Sequence, residues 1–121
     1  MKYALLIYSP ADAREYDAPR PETDENIASY VRALRDSGVL LAAEQLTHSD
    51  TATSVRLRGE DRLLTDGPFL ETKEHLLGFL LIDVPDLDAA LDWAARIPAA
   101  TIGTVEVRAV KTGQPWHAVL R

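Results

Sequence analysis

Two short segments constrain the fold of this chain more than anything else in it. Lys2-Tyr3-Ala4-Leu5-Leu6-Ile7-Tyr8 and Gly78-Phe79-Leu80-Leu81-Ile82-Asp83-Val84 are too short for helices and rich in strand formers. In the first, odd positions (Tyr3, Leu5, Ile7) and even ones (Ala4, Leu6, Tyr8) are both apolar. The second is apolar on nearly both faces as well. Successive side chains of a strand point to opposite sides, so a strand of this kind needs a cover on both. The two segments are therefore predicted to be the inner strands of one sheet.

The rest of the chain supplies partners for them. Ser9 to Glu22 is polar and holds Pro10, Pro19 and Pro21, and reads as a loop bordering a pocket. A helix follows from Thr23 or Asp24, with the amphipathic stripe Ile27, Tyr30, Val31, Leu34, and ends at Gly38. Val39 to Leu46 reads as a strand. Ser54 to Arg58 alternates cleanly, which predicts one wet face, Gly59-Glu60-Asp61 turns, and Arg62 to Thr65 returns as a hairpin arm. Pro85-Asp86 opens a second helix, capped by Asp86, with Leu87, Ala90, Leu91 and Ala94 as its buried stripe and Pro98 as its stop. Thr104 to Arg108 is a last alternating strand. Residues 1–110 form the domain, and the tail 111–121 adds a strand at Trp116 to Leu120.

The order is β-α-β, hairpin, β-α-β. This is an α+β chain on the ferredoxin-like split βαβ plan with an added β-hairpin. Two helices cover one face of such a sheet. A second copy of the chain is the simplest cover for the other, so a homodimer is expected.

Composition excludes several function classes. At 121 residues the chain is one domain, able to bury ~65% of its unfolded surface. It has no cysteine, so disulfides and thiolate metal sites are ruled out. Nineteen acidic against thirteen basic residues, a net charge of −6, argue against a nucleic-acid partner, which needs a basic surface. No stretch approaches the ~20 apolar residues of a membrane span and no targeting segment is visible, so the cytoplasm is the expected location.

Chemistry points to the run Thr65-Asp66-Gly67-Pro68-Phe69-Leu70-Glu71-Thr72-Lys73-Glu74. It sets one carboxylate on a Gly-Pro turn between two strand-like stretches. Asp66 has two readings. In a pocket, burial would raise its pKa from about 3.9 and fit it for general-base catalysis. Otherwise it accepts backbone N–H bonds and fixes the turn. Glu71, Lys73 and Glu74 read as a polar pocket rim or as a solvated salt-bridge cluster; on extended backbone Glu71 and Lys73 share a face, and in the rim reading Lys73 orients an anionic substrate. His75 is either brought back toward Asp66 by a hairpin-like bend or is a solvated side chain, the commoner case for a lone histidine. Tyr8, at the end of an inner strand, either hydrogen-bonds a ligand or is core. His48, in a polar turn, and His117, in the tail, read as incidental. The histidines lack metal-ligand spacing, and no phosphate loop, dinucleotide fingerprint or nucleophile elbow appears. Neither a metal nor a cofactor is expected.

Several of these stretches, in this order and spacing, resemble the DGPF branch of the YCII-related family. They are the first strand, Gly38-Val39-Leu40, Thr65 to Phe69, Glu71 to Glu74, Gly78-Phe79, Leu81 to Asp88 and Val105 to Arg108. The resemblance implies a dimeric α+β barrel of ferredoxin-like protomers, a fold shared with muconolactone isomerases and small cofactor-free monooxygenases. It also implies genes lying beside those of extracytoplasmic-function sigma factors. Two departures stand out. Related proteins carry a histidine in the first helix, proposed to pair with an aspartate, whereas Thr23 to Ser37 has none. Relatives are Gly-rich before the leucine at position 46, where this chain has Ala42 and Ala43. Two classes of function follow: a small cofactor-free acid/base enzyme acting on a small organic molecule in a pocket near Asp66, or a non-catalytic ligand-binding or regulatory module.

Overall fold

The computed structural model describes residues 1–10, 21–67, 74–113 and 116, and of residues 21–25 the backbone alone. The elements are β1 (Lys2–Pro10), α1 (Pro21–Asp36), β2 (Leu40–Gln45), β3 (Thr53–Arg58), β4 (Asp61–Asp66), β5 (Glu74–Asp83), α2 (Leu87–Ala95) and β6 (Thr104–Ala109). Short 3-10 turns lie at Ser49–Thr51 and Pro98–Thr101. Four strands form one antiparallel sheet in the order β2-β5-β1-β6, and β3 and β4 pair separately as a hairpin. This is the ferredoxin-like α+β plan, and its inner strands are the two that are apolar on both faces.

Both helices pack on one face of the sheet. Tyr3, Leu5, Leu80 and Ile82 from the strands meet Tyr30 and Leu34 of α1 and Ala90 and Ala94 of α2 in a single core. Leu5, Leu34 and Ile82 are fully buried. Each stabilises the fold by roughly 1.5–3 kcal/mol relative to exposure. The alternate residues Ala4, Leu6, Phe79 and Leu81 belong to the opposite face, where they pair across β1 and β5.

Local signals set the element ends. Gly38, at φ 76°, stops α1: its N–H donates to the Arg35 carbonyl at 3.0 Å, and the Val39 N–H to that of Leu34 at 3.3 Å. This paired closure satisfies carbonyls that the last turn leaves open, and glycine adopts its left-handed backbone without a Cβ penalty. Asp86 caps α2 through Oδ1, which accepts from the Ala89 N–H at 2.9 Å.

Several expectations shift. The buried stripe of α2 is Ala90, Trp93, Ala94 and, just beyond the helix, Ile97, while Leu87 and Leu91 are 49% and 46% exposed. Alanines let the helix approach the sheet closely, and the longer leucines turn outward. β5 begins at Glu74, four residues before the expected start at Gly78, and takes in His75. The hairpin has no buried face: Val55, Leu57 and Leu64 are all exposed. At the expected loop Ser9 to Glu22, Ser9 and Pro10 instead extend β1, and Pro21 and Glu22 open α1 ahead of Thr23, while residues 11–20 lie outside the described residues; of the expected tail strand Trp116 to Leu120, Trp116 is helical and 117–120 lie outside them.

Tyr30 gives this core a pH dependence. Its hydroxyl donates to the Trp93 carbonyl at 2.8 Å, and its ring meets Trp93 edge-on. Burial pushes its pKa from 10.0 up to about 12, against a lowering by Arg96. The unfolded chain releases this proton first, so the contribution is whole below pH 10 and is lost as pH rises toward 12. Tyr30→Phe is expected to cost about 1 kcal/mol near neutral pH and to remove this part of the alkaline decline. Urea unfolding of both proteins across that range checks it; parallel declines would contradict the assignment.

Candidate functional site

Between α1, the sheet and segment 97–102 lies an open cavity of about 660 Å³. Its walls are mainly apolar, with Ile7, Tyr30, Val31, Ala43, Leu80 and Ile97 among them. Asn26, Arg32, Gln45 and Thr101 supply polar groups. Size and character suit a small organic ligand, for which pockets of roughly 300–1,000 Å³ are usual.

The sheet extends this site in one direction. Ile7 pairs with Gly78, and both line the cavity. A bulge follows, and Ser9 pairs with His75. Ser9 lies two residues after Ile7 along β1, so it shares the face of Ile7, and paired residues share a face across strands. His75 therefore continues the cavity's face one pair further on. Ser9, only 1% exposed, stands opposite it.

His75 is held from a second side. Its Nδ1 is hydrogen-bonded to the Ser49 hydroxyl, and its ring stacks on that of His48 with centroids 5.9 Å apart and planes 24° apart. His48 Nδ1 accepts from the Asp50 N–H at 3.1 Å, capping the 3-10 turn. The Asp50 carboxylate approaches the same nitrogen at 3.4 Å. Both contacts cannot be hydrogen bonds at once: a nitrogen that accepts carries no proton to give. The backbone contact is the one that caps the turn.

The same segment also holds Gly67, within the signature run. The Gly67 N–H donates to the Ala52 carbonyl at 2.7 Å, and the Ser54 hydroxyl to the Gly67 carbonyl at 3.1 Å. Residues 48–54 thus contact the chain at both Gly67 and His75.

The residues singled out from sequence fall in different places. Asp66 is exposed, the last residue of β4 opposite Thr53, and is not among the residues lining the cavity. Tyr8 is on the other face of the sheet, where its hydroxyl donates weakly to Glu106 Oε2 at 3.5 Å. Glu71 and Lys73 lie outside the described residues, as do Pro68, Phe69 and His117. His75 is drawn together with His48, which reads as part of a polar turn, and with its neighbour Ser49. Nothing in their spacing announces that contact, because the pairing of β2 with β5 makes it. Among the described residues no group of three or more His, Asp or Glu could hold a metal ion, and no helix is long and apolar enough to cross a membrane.

The YCII-related domain family matches residues 1–116. An uncharacterised protein of Rhizobium meliloti (strain 1021) is 36% identical over 121 residues, covering 95% of this chain and 96% of its own length. The chain belongs to the YCII-related family.

Proposed function

We propose that this chain, as a DGPF-branch protein, is a small cofactor-free acid/base enzyme. It takes a small, largely apolar organic molecule into the cavity and moves a proton on it with His75. The observation that carries this reading is the continuity of one sheet face from the cavity wall, Ile7 and Gly78, to the Ser9–His75 pair. Isomerisation next to a carbonyl needs this combination: an apolar seat and one group able to take and return a proton. In this reading Asp66 acts beside His75 as a second acid/base group, with Glu71 and Lys73 as a polar rim in which Lys73 orients an anionic substituent. In deuterium oxide, the protein is expected to speed exchange into some members of a panel of small cyclic ketones and lactones. Exchange at the buffer rate throughout would sink the catalytic reading.

One observation favours a second reading. The exposed position of Asp66, apart from the cavity lining, suits a turn anchor in a non-catalytic binding module, for which a sigma-factor pathway is the setting the family resemblance suggests. Binding without exchange would select it.

The homodimer belongs to both readings. The sheet face bearing Ala4, Leu6, Phe79 and Leu81 and the hairpin's Val55, Leu57 and Leu64 are apolar surfaces in need of cover, and a second copy supplies it. Light scattering at micromolar concentration should give twice the 13.4 kDa chain mass. A clean monomer would end this part of the proposal.

A further inference from the structure

We propose that Ser49 is an acyl acceptor, able to take an acyl group from an activated donor such as an aryl ester, a thioester or an acyl phosphate. A serine hydroxyl is a poor nucleophile unless a base stands within hydrogen-bond reach and is itself held in place. Ser49 meets both conditions. Its Oγ is bonded to Nδ1 of His75, and both side chains are half-buried. The His75 backbone is fixed by the register of β5 against Ser9, and its ring by the stack on His48. His48 is in turn pinned by the Asp50 N–H.

The step balances within these groups. With His75 in its Nε2–H tautomer, the serine hydroxyl donates to Nδ1. Oγ attacks the acyl carbon as its proton passes to Nδ1, a C–O bond to serine forms, and the bond to the leaving group breaks. The leaving group departs with the electron pair, and the imidazolium returns its proton to that group or to water. No oxidant, reductant or metal takes part.

The turn also limits this chemistry. A tetrahedral intermediate is stabilised by preorganised donors aimed at its oxyanion. Here the Asp50 N–H is taken by His48 Nδ1, the Thr51 N–H by the His48 carbonyl at 2.9 Å, and the Ala52 N–H by the Ser49 carbonyl at 3.0 Å. None of these three is left for an oxyanion. Ser49 is thus expected to accept one acyl group and release it slowly, which makes it a site of modification rather than of rapid turnover.

The inference shares His75 with the proposed function but needs no ligand in the cavity, so the two can fail separately. The test treats the full chain with p-nitrophenyl acetate and maps the acetyl group by peptide mass spectrometry, with proton exchange in ketones measured in parallel. The expected result is one equivalent on Ser49, a burst of p-nitrophenolate matching the protein concentration, and none of either in Ser49→Ala. In His75→Gln the labelling rate should fall by about 100-fold, the lower end of general-base contributions. Acetyl groups confined to lysines, the amino terminus or His75 itself would overturn the proposal. So would Ser49 labelled equally fast in His75→Gln. The wild-type map decides alone if a variant fails to fold.

Discussion

Gly103→Ala is expected to destabilise the protein by about 3 kcal/mol or more, the upper range for forcing atoms into a packed site. Gly103 joins the Pro98–Thr101 turn to β6, and its N–H donates to the Ala99 carbonyl at 2.8 Å. A Cβ built there would lie 2.0 Å from the Tyr8 carbonyl oxygen, 3.0 Å from the Tyr8 carbonyl carbon and 3.1 Å from Ser9 Cα. All three atoms are backbone, and β1 is held on one side by β5 and on the other by β6. No side chain can swing aside, so strand or turn must move by more than about 1 Å to reach ordinary contact distance. Either movement spoils the cavity, because Ile97, Ala99 and Thr101 form its wall. Urea unfolding should show a lower midpoint at unchanged slope. A loss under about 0.5 kcal/mol, the scale of an ordinary surface change, would mean that strand and turn do not approach this closely.

His75→Gln should cost at least about 100-fold in proton exchange on any ketone or lactone the protein acts on. Glutamine fills similar space and can still bond Ser49, but its amide neither takes nor gives a proton near neutral pH. Stability should stay within about 1 kcal/mol, since the residue is only half-buried and the loss is one ring stack. Asp66→Asn is the informative comparison. If His75 carries the proton, Asp66→Asn lowers exchange by less than about tenfold, which is less than the usual worth of an acid/base group. The reverse order of effects would make Asp66 the proton carrier and His75 its neighbour.

Sheet order was readable because the apolar pattern of β1 and β5 reports how many faces a strand buries, and only inner strands of this plan bury two. Gly38 and Asp86 were readable because helix ends depend on local hydrogen bonds. The stripe of α2 was misjudged where size outweighed hydropathy: Leu87 and Leu91 look like core, yet the alanines beside them permit closer packing. The start of β5 was hidden because Glu74 and His75 are polar, and their pairing with Pro10 and Ser9 is set by a strand far away in the chain. The site was harder still. The His48–His75 stack and the Ser49 bond form between residues that only sheet pairing brings together, and local spacing carries no trace of that. The close approach at Gly103 was equally silent, since the atom that excludes a side chain belongs to β1.

The account rests on a ligand seat between α1 and the sheet, on the face that carries His75. Titrating the 15N-labelled protein with 1-anilinonaphthalene-8-sulfonate tests it most directly. The dye is apolar, carries one anionic group and needs no knowledge of the natural ligand. Saturable shifts should appear at the amides of Ile7, Val31, Ala43, Leu80 and Ala99, which line the cavity, and reach His75. Shifts confined to Ala4, Leu6, Leu81 and Glu106 on the opposite face, or no saturable shift at the cavity amides, would contradict it.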